Sequence, residues 1–221
     1  MNGAVITALN EQDTIGGLVR DLIRQGLDVC VVNDGSTDET EWQARSNGAH
    51  IIHHDTPHGI GCSLLGAWRY AIDSGWEYTI QMDAGGSHEP QYANSMINNP
   101  KDIVIGSRFW DRWQYIGGSW WRKLGSRITS AALNFATHQH ITDWTSGYRC
   151  FSRKALQTLV DVPYTTNMHT WQIEVLYAAL RNGLTVAEAP ITYRAGRSTF
   201  SWRLLDDLIR VYLQVFFAVP K

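Results

Sequence analysis

The residues best placed to do chemistry in this 221-residue chain are acids that directly follow short apolar runs. Asp83 closes Tyr78–Met82 in YTIQMDAGGSHEP, Asn33-Asp34 closes Val29–Val32, and Asn10-Glu11 follows Ala4–Leu9. Carboxylates gathered at one edge would repel a bare phosphate. They can accept hydrogen bonds from a nucleoside base or ribose, or hold a divalent cation that bridges phosphates. Gly85 and Gly86, just behind Asp83, let backbone come close to a ligand. Arginines supply the opposite charge: Arg108, Arg122, Arg127, Arg149, Arg194 and Arg197. A strand ending in a plain Asp-Gly turn is the competing account of Asp83.

Positioning these groups requires a repeated strand–helix unit. The apolar runs 4–9, 29–32, 50–54, 78–82 and 103–105 read as strands, rich in β-formers and bounded by turn residues. Between them, Ile15, Leu18, Val19, Leu22 and Ile23 recur at helical spacing. Leu64, Leu65, Trp68, Ala71 and Ile72 do the same over 59–74. Pro90 opens a further helix at its first position. The alternation predicts an α/β domain with a mostly parallel sheet and helices on both faces. In such sheets ligands bind outside the carboxyl ends of the strands, where the acids lie.

The second half is less regular. Residues 120–137 and 171–182 read as helices, 154–160 as a short helix, and 148–152 as a short strand. Pro190 places the strand over 185–193 at an edge or a bend. Residues 194–201, RAGRSTFS, read as a basic loop. A last helix over 203–219 carries a wide apolar face and a narrow polar stripe. It is expected either to lie on a membrane or a partner's membrane helix, or to dock on the core.

Composition excludes several classes. A net charge of −2 gives no reason to expect nucleic-acid binding. Gly59-Ile60-Gly61 is not a dinucleotide fingerprint, because position 64 is Leu and the motif follows the third strand. His53 and His54 point to opposite strand faces, so the histidines at 50, 53, 54 and 58 cannot converge on a metal. Cys30, Cys62 and Cys150 show no paired spacing; Cys30 and Cys62 read as reduced core residues, which favours a cytosolic compartment. The first strand begins almost at Met1, leaving no room for a signal peptide, and no apolar run reaches the roughly 18 residues of a membrane span. Several of the ten tryptophans fall between Trp110 and Trp121 beside arginines, a mix that suits a sugar-binding or membrane-interface surface. Trp68 and Trp171 read as core.

ITALNE, VVNDGSTDET, QMDAGGSHEP, IGSRF, DWTSGYRCFSRKAL and APITYRAGRST occur in that order. Together they resemble the family 2 glycosyltransferases, nearest to the dolichol- or polyprenol-phosphate mannose synthase branch. The resemblance implies an inverting enzyme of GT-A fold that binds a nucleotide-sugar at the first strand ends. One catalytic domain is expected over 1–202, with a nucleotide part to about residue 110, followed by an amphipathic helix over 203–221. By resemblance, Thr7, Leu9 and Glu11 line the donor pocket, and Val32 and Asp34 hold base and ribose. Asp83, with Ala84 and Gly85 beside it, matches the start of the Asp-X-Asp motif for metal and diphosphate. Arg108 matches a phosphate contact. Arg122 and Ser126 match an Arg-X-X-X-Ser pair that reaches acceptor or donor phosphate. Asp143, Ser146, Gly147 and Arg149 match a further segment, Gln172 and Glu174 another, and Arg194 and Arg197 lie in the late basic loop.

Two departures matter. The second acid of Asp-X-Asp is Gly85 here and the next metal-side position is Ser87; Ser198-Thr199 replaces a usual Ser-Lys. Asp83 with diphosphate oxygens still suffices for Mg²⁺ or Mn²⁺, more weakly. The alternative is that Arg108, Arg122, Arg194 and Arg197 replace part of the metal's charge, with help from His88. A polyprenyl-phosphate acceptor is already an anion and needs no strong base. A sugar hydroxyl would need one, with Asp143 and Glu174 as candidates. The expected partners are a nucleotide-sugar, a polyprenyl-phosphate lipid, and a membrane surface or small membrane protein, with the enzyme peripheral on the cytosolic face. Open beside this stand a soluble acceptor and a nucleotide-sugar binder without turnover; a nucleotidyltransferase ranks last, for want of a Gly-rich, lysine-bearing phosphate loop.

Overall fold

A computed structural model describes residues 1–110, 115–168, 170–195, 210–212 and 215. Five parallel-sheet strands alternate with helices: β1 (Gly3–Ala8), α1 (Ile15–Arg24), β2 (Asp28–Asp34), α2 (Thr40–Ser46), β3 (His50–His54), α3 (Ile60–Asp73), β4 (Tyr78–Asp83), α4 (Ala93–Ile97) and β5 (Ile103–Ser107). A 3₁₀ turn at Pro90–Tyr92 leads into α4, so the helix opened by Pro90 is tighter and shorter than an ordinary α-helix. Then follow β6 (Tyr115–Ile116), α5 (Trp120–Thr137), β7 (Arg149–Ser152), α6 (Arg153–Leu159), α7 (Trp171–Arg181), β8 (Val186–Pro190) and β9 (Tyr193–Arg194).

The main sheet runs β3-β2-β1-β4-β7-β5-β8. β7 is antiparallel to both its neighbours, and the other pairs are parallel. The chain winds outward from β1 to β3, then returns to lay β4 on the other side of β1. The crevice between β1 and β4 is therefore the topological switch point, where open α/β sheets take ligands. β8 is an edge strand that stops on Pro190, where a missing N–H costs no interior ladder bond.

The central strands are apolar on both faces because each face is covered. One core layer joins Ile15, Leu18, Val19 and Leu22 of α1 to Ala44, Met96 and the strand residues Ile6, Val31 and Ile80. The other joins Leu64 and Trp68 of α3 to Trp76, Trp144, Phe151 and Trp171. Gly3 must be glycine, since a Cβ there would stand 2.3 Å from the Trp76 ring.

Of the terminal helix expected over 203–219, only four residues lie among those described. They are helical, and Val211 and Val215 pack into the second core layer. The basic stretch from 196 lies outside the described residues. No helix among the described residues is long and apolar enough to cross a membrane. One cysteine expectation is corrected: Cys62 is exposed, because it falls on the outer side of α3, while Cys30 and Cys150 are buried and all three are free thiols. Burial pushes the Cys30 and Cys150 thiols up to about 12. A thiol reagent at neutral pH should label Cys62 alone in the native protein and all three in denaturant; fast native labelling of a second cysteine would contradict this packing.

Candidate active site

The loops after β1 and β2 are bound to each other before any ligand arrives. Asn10, at φ 55°, accepts the Thr37 N–H on its side-chain oxygen at 2.9 Å and donates its own N–H to Ser36 Oγ. The Glu11 N–H meets Thr40 Oγ1 at 2.7 Å, and Gln12 N–H meets Asp38. Glu11 is thereby held at the switch point. Its Oε1 lies only 3.1 Å from where a Cβ on Gly85 would stand. A side chain at 85 would crowd this carboxylate, which occupies the flank from which a second acid of the motif would project.

Across the crevice, Asp83 closes β4 in register with Thr7. Its carboxylate is half exposed, at 51%. The Asp83 N–H donates to Nδ1 of His88 at 3.4 Å. His88 is buried between Tyr148 and Tyr193, with ring centroids 5.1 and 5.4 Å away. Burial pushes its pKa down against the opposing pull of Asp83, so the ring is neutral and positions the Asp83 backbone. Of the other donor-side residues, Thr7 is half-buried, Leu9 and Gly85 are exposed, and Ala84 is buried. Val32 is wholly buried in the core, so its side chain cannot line a pocket.

Asp34 is bonded within the fold as well. Its carboxylate accepts from His54 Nδ1, Ser63 Oγ and the His58 N–H, each at 2.9 Å, and from the Gly59 N–H at 3.1 Å. Burial works to raise its pKa, but these donors bring it below the usual carboxylate value. Asp34 fastens β2 to the start of α3, with three of the donors on Oδ1 and the Gly59 N–H alone on Oδ2.

Arg108 and Asp143 form a buried clamp. The guanidinium donates Nε to Oδ2 and Nη2 to Oδ1, both at 2.7 Å, and the Arg108 N–H adds a third bond at 3.1 Å. Asp143 is 0% exposed. Burial alone would raise its pKa, but Arg108 holds it below the ordinary range. The rings of Phe109, Tyr115 and Tyr193 pack over the Arg108 guanidinium at 5.2–5.8 Å. The small β6–β9 pair brings Tyr115 to Tyr193. Arg108, expected at the donor phosphates, is engaged with Asp143 through Nε and Nη2, and Asp143, buried in that pair, is poorly placed as a general base. Burial pushes the Tyr115 hydroxyl pKa up, while Arg108 and Arg122 lie close enough to pull it back.

Two further expectations fail for the same reason. Arg149 is fully buried and gives its N–H groups to the carbonyls of Trp144, Ser146 and Gln172 at 2.8–3.0 Å, so it cannot meet an acceptor phosphate. Glu174 accepts from the N–H and hydroxyl groups of Thr165 and Thr166 and is 3% exposed, which removes it as a base. Sequence reading missed the buried relay Trp68–Gln81–Gln172, in which Gln81 Nε2 also donates to the Gly147 carbonyl. Its signal was a glutamine in each of two apolar runs, YTIQMD and WQIEVL. The relay holds Gly147 opposite Asp83; a Cβ there would be 3.6–3.7 Å from both carboxylate oxygens.

Arg122 and Ser126 are half-buried on α5, and Arg194 is paired with Glu89 at 3.1 Å. Arg197 lies outside the described residues. Among the described residues no group of three or more His, Cys, Asp or Glu side chains converges on a metal position.

The family model described as Glycosyl transferase family 2 matches residues 4–160. An undecaprenyl-phosphate mannosyltransferase of Micrococcus luteus is 27% identical over 93% of this chain and 89% of its own length. A polyprenol monophosphomannose synthase of Mycolicibacterium smegmatis is 27% identical over 86% of this chain and 76% of its own. Among solved structures, glucosyl-3-phosphoglycerate synthase from Mycobacterium tuberculosis, in complex with Mn²⁺, UDP-glucose and phosphoglyceric acid, matches with a TM-score of 0.75 at 22% identity. It covers 100% of this chain and 81% of that one. The fold is GT-A. The chain belongs to glycosyl transferase family 2 and is a glycosyltransferase.

The clamp and the rim should separate in a urea titration. Asp143→Asn leaves Arg108 buried without its counter-charge and should lose about 3–5 kcal/mol. Asp83→Asn, half exposed, should stay within about 0.5 kcal/mol of the parent. Because the folded pKa of Asp143 is depressed, its stabilisation is complete above the unfolded value of about 3.9 and is lost as pH falls through the folded one. The gap between parent and Asp143→Asn should therefore begin to narrow as pH falls below about 4. Equal losses for the two variants would contradict these roles.

Proposed function

We propose that this family 2 enzyme transfers a hexosyl group, with inversion, from GDP-mannose or a UDP-hexose to the phosphate of a polyprenyl phosphate. The observation that carries this reading is the fate of the carboxylates. Asp143 and Glu174, which a hydroxyl acceptor would need as base, are buried and committed to other bonds. Asp83 and Glu11 remain at the switch point, suited to the donor side. A phosphate acceptor carries its negative charge already, with a second pKa near 6 for a monoester, and requires no proton removed. The names of the two bacterial relatives support the same acceptor class.

In the reaction an acceptor phosphate oxygen attacks the anomeric carbon from the face opposite the leaving group. The bond from that carbon to the diphosphate oxygen breaks, and the nucleoside diphosphate departs with the electron pair. What this chain supplies is position and charge. The strand-end loops, fixed by the Asn10–Thr37 and Glu11–Thr40 bonds, present a preformed floor for the nucleotide. Arg122 and Ser126 on α5 hold the acceptor phosphate, and Arg194 and Arg197 add positive charge from the late loop.

Asp83 and Glu11 would hold Mg²⁺ or Mn²⁺ between them. The fit rests on Glu11 filling the flank that Gly85 leaves open, and such ions commonly use one or two carboxylates with substrate phosphates. When bound, the ion supplies charge stabilisation to the leaving diphosphate. The enzyme works on the cytosolic face of a membrane, where a water-soluble donor meets a lipid acceptor.

The test is transfer of radiolabelled sugar from a donor panel into an organic-extractable product, with polyprenyl phosphate and Mg²⁺, Mn²⁺ or EDTA. Label in the lipid phase is expected with one donor. Asp83→Asn should lower kcat/KM about 100-fold or more, and Arg122→Ala should raise the acceptor KM while leaving the donor KM unchanged. Saturable donor binding with no lipid label, or label moving only to a soluble hydroxyl acceptor, would overturn the reading.

A further inference from the structure

Gly59-Ile60-Gly61, which falls short of a dinucleotide fingerprint, has a different use in the fold. A Cβ on Gly59 would stand 2.7 Å from the Asn167 side-chain nitrogen. One on Gly61 would stand 2.8 Å from the Asn167 side-chain oxygen and 3.0 Å from the Trp171 ring. The two glycines admit a side chain from the connector between α6 and α7. Asn167 fills that room with three hydrogen bonds. Its Nδ2 donates to the His58 carbonyl, its Oδ1 accepts the Cys62 N–H at 2.8 Å, and its own carbonyl accepts the Gly61 N–H at 3.4 Å. The Cys62 N–H lies in the first turn of α3, where no carbonyl of the helix can reach it. Gly59 stands at the cap of α3 and has no side chain to offer; Asn167 supplies the missing acceptor from 105 residues away.

The connector is itself held from α7. Thr165 and Thr166 give N–H and hydroxyl groups to Glu174, so α7 carries Asn167 across the start of α3. His58 is gripped at both ends: its carbonyl accepts from Asn167, and its N–H binds Asp34 Oδ1 at 2.9 Å. The Gly59 N–H binds Asp34 Oδ2 at 3.1 Å, and Ser63 Oγ binds Oδ1 at 2.9 Å. Asp34 closes β2 in register with His54 of β3. Neighbouring strands lie about 5 Å apart, so the β2 and β3 ends are one and two steps from β1. A diphosphate at Asp83 and Glu11 has the Gly147 turn on its β7 side. Its nucleoside therefore runs the other way, over β2 toward β3. The wall it meets there is Asp34 and the segment that Asn167 holds.

We propose that Asn167 is a positioning residue for the nucleoside end of the donor. It acts through residues 58–62 and the Asp34 carboxylate rather than by contact with the donor. The proposal rests on the donor reading above, in which the diphosphate lies at Asp83 and Glu11, and makes no use of the acceptor.

The experiment is isothermal titration of UDP, GDP and inorganic pyrophosphate, each with Mg²⁺, into the parent and Asn167→Ala. Asn167 is exposed, and the circular dichroism of the variant should match the parent. The parent should bind one of the two nucleotides. Asn167→Ala should bind that nucleotide about tenfold more weakly and bind pyrophosphate as the parent does. Pyrophosphate reaches Asp83 and Glu11 but has no nucleoside, so a general loosening would weaken both ligands and a positioning role weakens one. In the transfer assay the donor KM should rise by the same factor, with kcat and the acceptor KM nearly unchanged. A readout that needs no variant is amide hydrogen exchange of the parent: the nucleotide should slow exchange over residues 58–62, and pyrophosphate should not. Parent-like nucleotide affinity in Asn167→Ala, or exchange over 58–62 that the nucleotide leaves unchanged, would overturn the proposal and leave the donor reading intact. Equal losses for nucleotide and pyrophosphate would overturn it as well and make Asn167 a support of the fold alone. A parent that binds neither nucleotide would overturn the donor reading and the proposal with it.

Discussion

The ion pair between Arg108 and Asp143 is the constraint on which the site depends. Arg108 follows the end of β5, and Asp143 opens the turn that leads into β7. Their doubly hydrogen-bonded contact sets where that turn stands relative to the sheet. Everything the turn carries follows from it. Arg149 bolts the turn to the first residues of α7, and Gln81, which also donates to Gln172 Oε1, donates to the Gly147 carbonyl. Gly147 consequently faces Asp83 with no side chain between them. Such a pair is costly to bury and more costly to break, which makes it a device for fixing geometry more than for adding stability.

The same economy explains which groups remain for chemistry. Carboxylates at Asp34, Asp143 and Glu174 each accept several hydrogen bonds and serve as fasteners. Arg149 is consumed by the fold, and Arg108 is bound to Asp143 through Nε and Nη2. Asp83, half exposed, and Glu11, beside the space where a Gly85 side chain would stand, are acids at the switch point that the packing leaves for a ligand. An enzyme so arranged has means to bind a donor and few means to deprotonate a hydroxyl. That imbalance favours an acceptor that arrives ionised.

The central strands were legible because a strand buried on both faces reads as an unbroken apolar run, and 4–9 and 78–82 sit within a residue of the observed bounds. α5 was legible to the residue, and in the structure it runs from Ser119 to a left-handed His138. The antiparallel placement of β7 between β4 and β5 was not, because four residues carry no sign of their neighbours. Nor was the pairing of Tyr115 with Tyr193, which depends on two-residue strands far apart in the chain. At the site, motif residues were found by type and position, but a motif does not say whom a side chain bonds. The bonds that Asp34, Arg108 and Arg149 make within the fold were therefore not legible. Glu11 was read only as a wall of the donor pocket, and its proximity to the Gly85 gap needed the fold to bring β1 beside β4.

The central claim is that Asp83 and Glu11 together form the donor-side centre of the switch point. The most direct measurement is a crystal structure of the protein soaked with Mn²⁺ and a nucleoside diphosphate, with anomalous scattering used to locate the ion. The account predicts one anomalous peak within bonding distance of an Asp83 oxygen, a Glu11 oxygen and the diphosphate. A nucleotide bound at the strand ends with its diphosphate held by arginines alone, and no ion against either carboxylate, would contradict it.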